Sequence, residues 1–170
     1  MINRAPLSND LLELVPLLSQ DFELLYVAAS DPEIWAQHPD INRYTPVGFT
    51  TYFQQLIATD LPYLIIDKAN NHVIGASSFY QYNEKQKSIA IGYTFLAKSY
   101  WGGQFNSSLK KLMIDHAFTF VDKVYFHVRE KNFRSQAALT KIGAIKEGEE
   151  PAPADPTSLQ YTYAITKENG

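Results

Sequence analysis

Apolar residues recur at two spacings along this chain, and the change from one to the other marks out its elements. From Ile89 to Leu96 the run IAIGYTFL has the density of a buried strand. Beyond it, Phe105, Leu109, Leu112, Met113, His116 and Phe120 fall at i, i+4, i+7, i+8, i+11 and i+15, which is one buried helical stripe. Gly102 and Gly103 lie between the two patterns. Strand, glycine turn and helix in that order form an anion-binding device. The first N–H groups of a helix have no internal partner, and the macrodipole adds partial positive charge there. The glycines let a ligand approach the main chain, and Ser107 and Ser108 add hydroxyl donors. The same pattern also fits a strand-to-helix turn that binds nothing.

The remaining chain reads in order. Leu11 to Leu18, broken by Pro16, suits an edge strand. Asp21 is placed to cap a helix over Phe22 to Ala29, with Leu24, Leu25 and Ala28 as its buried stripe. Asp31-Pro32 opens a short second helix. Trp35 to Tyr44 has little periodicity and reads as a loop, and Phe49 to Ala58 as a helix burying Phe49, Phe53, Leu56 and Ile57. Leu61–Ile66, Val73–Tyr80 and Ser88–Leu96 then form an antiparallel meander. Gly92 within the third strand marks a bulge or a close approach. Val124–Val128 is a strand, and Asn132–Ile142 a helix capped by Gly143. Ala144–Glu147 is compatible with a strand, Glu149–Ser158 reads as a Pro/Ala-rich loop, and Tyr161–Thr166 as a closing strand. This order predicts an α+β (mixed α/β) fold. Its mixed sheet of six or seven strands has helices on both faces, with Ser88–Leu96 central and parallel to Val124–Val128.

Composition narrows the classes. With 170 residues, 45% of them hydrophobic, the chain is expected to form one domain, 1–170, with a full core. A net charge of −3 provides no overall basic field, so no nucleic-acid partner is expected. The absence of cysteine excludes disulfides, thiolate metal sites and cysteine nucleophiles. The four histidines show no metal spacing, so no metal is expected. No apolar run approaches the ~20 residues of a membrane helix. MINRAPLSND lacks a signal-peptide core, so a soluble, cytoplasmic monomer or homodimer is expected. Phosphate-loop, dinucleotide and nucleophile-elbow glycine patterns are absent, which argues against a nucleotide-binding protein and a serine hydrolase.

Two segments carry a resemblance. YWGGQFNSSLKKLMIDHAF is similar to the pyrophosphate loop and helix of the GNAT superfamily of N-acetyltransferases. VREKNFRSQAALTKIGA is similar to the segment that follows it there, with Val128, Asn132, Ser135, Lys141 and Gly143 in place. The tail YTYAIT resembles the branch containing the ribosomal-protein N-terminal acetyltransferases and related antibiotic acetyltransferases. The resemblance implies acetyl-coenzyme A as co-substrate and a primary amine, on a small molecule or a protein N-terminus, as acceptor. It places the phosphates on Trp101, Gly102, Gly103, Gln104, Phe105, Asn106, Ser107 and Ser108, and the pantetheine along Phe95, Leu96 and Ala97. Asn132 and Ser135 also contact the cofactor in this reading.

The resemblance also implies an oxyanion-type donor near the Gly92–Thr94 bulge and direct attack of the amine on the thioester. Ser135 is the acid or water-holder for the sulfur, or simply a helix serine bonded four residues back. His127 is the base or a half-buried sheet histidine, with Tyr93, Tyr80 and a water chain as other proton routes. Trp35, His38 and Tyr80 shape the acceptor pocket, unless Trp35 merely packs on the core. The acidic balance weakly favours a cationic acceptor. The loop departs from the common Gln/Arg-x-x-Gly-x-Gly/Ala at Trp101, Gln104 and Asn106, and a left-handed Gln104 would be costly. Leu139 stands where many members carry a tyrosine. The competing expectation is therefore a fold of this family that has lost catalysis and only senses a ligand.

Overall fold

The three apolar strands of the meander sit inside a sheet of eight. The structure is a computed structural model, and it describes residues 2–153 and 155–168. In chain order the strands are β1 (Leu7–Ser8), β2 (Leu12–Pro16), β3 (Leu61–Asp67), β4 (His72–Asn83), β5 (Ser88–Leu96), β6 (Lys123–Arg129), β7 (Ile145–Ala152) and β8 (Asp155–Thr166). The helices are α1 (Phe22–Ala29), α2 (Pro32–Trp35), α3 (Pro46–Ile57), α4 (Phe105–Ala117) and α5 (Phe133–Lys141). Spatial order is β1-β2-β3-β4-β5-β6-β8-β7, and only β5 and β6 run parallel. Helix α4 supplies the crossover that this parallel pair requires.

Alternation along the strands divides the apolar residues between two clusters. Ile65 joins Leu109, Met113 and Ala117 of α4, whereas Leu64 joins Leu25, Phe49, Phe53 and Leu56 of α1 and α3. Leu139 of α5 belongs to the first cluster, so the position that carries a tyrosine in many relatives is here a core leucine.

Several expectations change. The sheet has eight strands rather than six or seven, because Leu7–Ser8 adds a short edge strand against β2, and Glu149–Ser158 is not a loop. Ala154 lies outside the described residues. Its neighbours extend β7 and β8 into a long hairpin, with Pro151 opposite Leu159. Proline is tolerated there because β7 pairs with β8 alone. Asp21 does not cap α1 with its side chain, since its carboxylate accepts the Leu18 N–H at 2.8 Å in the preceding turn. Leu24 is 58% exposed, and α1 buries Leu25 and Ala29 instead.

The parallel pair is short. Ser88, Ile89 and Ala90 face Lys123, Val124 and Tyr125, and there the pairing stops. From Ile91 onward β5 follows β4, while β6 stays on β8 as far as Arg129. A bulge accompanies the parting. Ser78 pairs with Gly92 and Ala76 with Phe95, so Tyr93 and Thr94 together oppose Ser77.

Candidate active site

The gap between the parted strands is the centre of the site. Tyr93 adopts a φ of 55°, a left-handed step that costs a residue with a Cβ about 1–2 kcal/mol. The Tyr52 hydroxyl donates to the Tyr93 carbonyl, and the Tyr93 ring lies edge-on to Tyr80 at 5.3 Å. Gly92 was expected to mark a bulge or a close approach, and both are found: the bulge follows it directly, and the close approach is at Gly92 itself. A Cβ there would come within 2.8 Å of the Tyr80 ring, so Gly92 makes room for Tyr80 while Tyr93 takes the strained turn.

Two adjoining cavities open from this gap. The smaller, about 250 Å³, runs from Thr94, Phe95 and Leu96 to Trp101, Gly102 and Asn106. The larger, about 590 Å³, is bounded by Arg43, Tyr52, Tyr80, Tyr93, His127 and Arg129. They share Gln37, His38, Thr94, Lys110, Asn132 and Ser135. Ser135 therefore stands at the junction, and His127 and Tyr93 lie in the larger arm.

Around the glycine turn, main-chain geometry suits an anion. Gly102 carries the left-handed φ, 75°, and Gln104 sits in the ordinary right-handed region at −93°. The unusual Gln104 is thus unstrained, because the turn is taken two residues earlier. A Cβ on Gly102 or Gly103 would meet nothing within 4 Å, so space beside the backbone is open. The expected phosphate-binding span shortens at both ends. The Trp101 N–H already donates to the Lys98 carbonyl at 3.0 Å, and the Ser108 N–H to the Gln104 carbonyl at 2.9 Å. Among the described residues, the N–H groups from 102 to 107 have no main-chain acceptor.

The hydroxyls are less available than expected. Ser107 Oγ donates to the Gln104 carbonyl at 3.1 Å, and Ser108 Oγ accepts from Asn9 at 2.8 Å. Phe105 turns away to stack edge-on with Tyr100 at 4.8 Å. Ala97 donates its N–H to the Ile74 carbonyl at 2.7 Å, so that group is not free for pantetheine. A helix start with six free N–H groups, glycines beside open space and a neighbouring strand gap fits a coenzyme A-type ligand.

At the junction, Asn132 caps α5 by accepting the Ser135 N–H at 3.2 Å. The Ser135 hydroxyl makes no hydrogen bond to the Lys131 carbonyl or to another protein group among the described residues. His127 lies between Thr162 (Nδ1, 3.2 Å) and Gln81 (Nε2, 3.3 Å). These two contacts hold the ring in place at the edge of the larger cavity. Burial lowers the His127 pKa, while Glu150 pulls the other way. His38 is brought down to about 4 by burial first, then by the charges of Arg43 and Arg134. Both imidazoles are therefore neutral at pH 7.

Trp35 is a correction. It is 0% exposed, donates its indole N–H to the Ala29 carbonyl at 2.8 Å, and packs against Tyr52 and Phe95. It supports the pocket from behind rather than lining it, whereas His38 and Tyr80 do line the larger cavity. Sequence reasoning missed Arg43, Lys110 and Arg134. Lys110 bonds Asn106 Oδ1 at 3.1 Å, and burial lowers its ammonium to about 8. A usable signal was present: Lys110 sits one turn after Asn106 and beside Leu109, at the edge of the buried stripe.

Residues 12–145 match the family model described as the acetyltransferase (GNAT) domain, and the chain belongs to this family. Solved structures share the fold at low identity. A GCN5-related N-acetyltransferase from Brucella melitensis superposes with a TM-score of 0.86 at 16% identity, over 99% of this chain and 81% of the other. RimJ of Mycobacterium smegmatis, in complex with CoA-disulfide, gives 0.74 at 20% identity over 96% and 87%. Spermidine N-acetyltransferase from Vibrio cholerae, in complex with CoA and spermine, gives 0.73 at 16% identity over 95% and 98%. A comparison with curated protein sequences finds no significant match.

Proposed function

We propose that the protein is an acetyl-coenzyme A-dependent N-acetyltransferase acting on a primary amine by direct attack. The observation that carries this reading is the meeting of two cavities at Ser135, one leading to the glycine turn and one to a pocket of side chains. Bound acetyl-coenzyme A would supply an acetyl group as a thioester.

The N–H groups of residues 102 to 107 hold the phosphates, and the gap beside Phe95 and Leu96 takes the pantetheine arm. The bulge at Tyr93–Thr94 removes main-chain groups from the ladder, making them the donors for developing charge on the carbonyl oxygen. The neutral His127 imidazole takes up the proton of the acceptor amine, directly or through a water. Ser135 Oγ, free of other partners, delivers a proton to the departing sulfur. Lys110 places a positive charge at the same junction. Holding both reactants at one point supplies a large share of the acceleration.

Thiol release from acetyl-coenzyme A over a mixed amine panel tests the reading. Ser135→Ala is expected to lower turnover roughly 100-fold while coenzyme A affinity stays unchanged. Tight coenzyme A binding with no thiol release on any amine would make the protein a ligand-binding module. Labelled acetyl retained on the protein without acceptor would overturn direct attack.

A further inference from the structure

The charges lining the larger cavity say what the acceptor carries beside its amine. Three cationic side chains face this space, those of Arg43, Lys110 and Arg129, against the single carboxylate of Glu150. Glu150 is exposed and already accepts from Gln160 at 3.3 Å. This balance is opposite in sign to that of the whole chain, whose net charge is −3. The weak expectation of a cationic acceptor, drawn from that net charge, does not survive the local geometry. A pocket is felt by its ligand through nearby groups, since solvent screens distant ones.

Arg43 is the most telling of the three. Its guanidinium carbon stands 5.6 Å from the Trp35 ring centroid and 5.1 Å from that of Tyr52, so two buried aromatic faces hold it. Among the described residues it has no ion pair: the five bridges present are made by other cations. Burial lowers its pKa, and Tyr52, the carboxylate of Asp40 and Tyr93 offset part of that cost from outside hydrogen-bonding reach. Arg129 adds an independent observation. Among the described residues its Nε is buried without a hydrogen-bond partner, and its one ion pair, with Asp155, is long at 3.7 Å from Nη2. A fixed guanidinium with unused donors is built for a carboxylate, which it binds through two parallel hydrogen bonds.

We propose that the acceptor is an amino-carboxylate, a primary amine with a carboxylate a few bonds away, and that Arg43 binds that carboxylate. The assignment rests on the acetyltransferase reading of the same site. A cavity of about 590 Å³ holds a free amino acid with space to spare, and the side chain of an acidic peptide terminus has the same chemistry. A polyamine, by contrast, would bring several positive charges against three others and find one exposed carboxylate.

Two measurements test this. In the first, N-acetyl amino acids and their C-terminal amides are titrated calorimetrically into the protein saturated with coenzyme A. These are the acetylated product and its masked form. The carboxylates are expected to bind at least tenfold tighter than the amides, and Arg43→Gln to abolish that ratio, with Arg43→Lys keeping part of it. Equal binding of acid and amide by the wild type overturns the proposal even if acetyl transfer is later shown. Failure of coenzyme A itself to bind would instead overturn the acetyltransferase reading. In the second, thiol release is compared for free amino acids, peptides beginning with Asp or Glu, amino-acid amides and spermidine. Faster release with either acidic class supports the proposal and tells the two sources apart. Faster release with amides or spermidine overturns it.

Discussion

The two arms of the site are made of different materials. The smaller arm presents main chain from one stretch, residues 94 to 107, with a left-handed glycine, six N–H groups without main-chain acceptors and a strand edge, and side chains from α2, α4 and α5 complete its wall. The larger arm is side chain, and its walls come from α3, β4, β5, β6 and the segment after α2. An arm of main chain tolerates replacement of most of its side chains, because every residue but proline offers the same N–H. An arm of side chains can be re-specified one residue at a time.

Three substitutions press on that contrast, from the largest effect down. Trp35→Ala removes a fully buried ring from beneath His38 and Arg43 and should cost about 3–5 kcal/mol of stability. Denaturant unfolding measures the cost. The thermal shift produced by coenzyme A should persist in the surviving folded protein, and its loss would show that the arms are not separable.

His38 gives the next effect, through pH. The folded ring resists protonation down to about 4, against the ordinary value of about 6.5. Below about 6.5 the unfolded chain takes a proton that the folded one refuses. Stability therefore falls as pH drops from 6.5 to 4, by up to about 3 kcal/mol. Across that window the wild type should lose stability relative to His38→Gln as pH falls, whatever their offset at neutral pH, since glutamine carries no such linkage. Parallel curves would place the titrating group elsewhere.

Gly103→Val is the smallest in energy and the most selective. A Cβ there meets nothing in the protein, so the melting temperature should hold. The added side chain occupies the space beside the free N–H groups, and coenzyme A should bind on the order of tenfold more weakly, about 1.4 kcal/mol. An unchanged affinity would move the phosphates away from this turn.

The contrast also explains what could be read from the chain alone. The main-chain arm is contiguous, so the strand, the glycine pair and the stripe from Phe105 to Phe120 announce it together. The side-chain arm is assembled by topology. Nothing local to Arg43 indicates that it lies on Trp35 and Tyr52, and nothing local to Lys110 says that it borders two cavities. The bulge at Gly92–Thr94 was legible because a glycine inside a strand marks a bulge or a close approach, but which residue takes the left-handed step was not. Here Tyr93 takes it, and the glycine is needed for the ring of Tyr80. The long β7–β8 hairpin was hidden by Pro151, Pro153 and Pro156, which read together as loop, although Pro151 sits on the edge strand β7 and Pro153 in the turn.

The short parallel pairing has a mechanical meaning. Strands β1 to β5 form one leaf and β6, β8 and β7 another, stitched by three residue pairs at one end of β5 and β6. Each leaf keeps its own antiparallel ladders, so spreading the unstitched ends breaks no hydrogen bond inside either. The molecule is built like a book with a short spine. A bulky thioester arm can part the leaves, and the twist that admits it is concentrated at Ser88–Ala90 and Lys123–Tyr125. Amides in that stitch should exchange with solvent sooner than those in the middle of β4 or β8, and a ligand lying across both leaves should slow them.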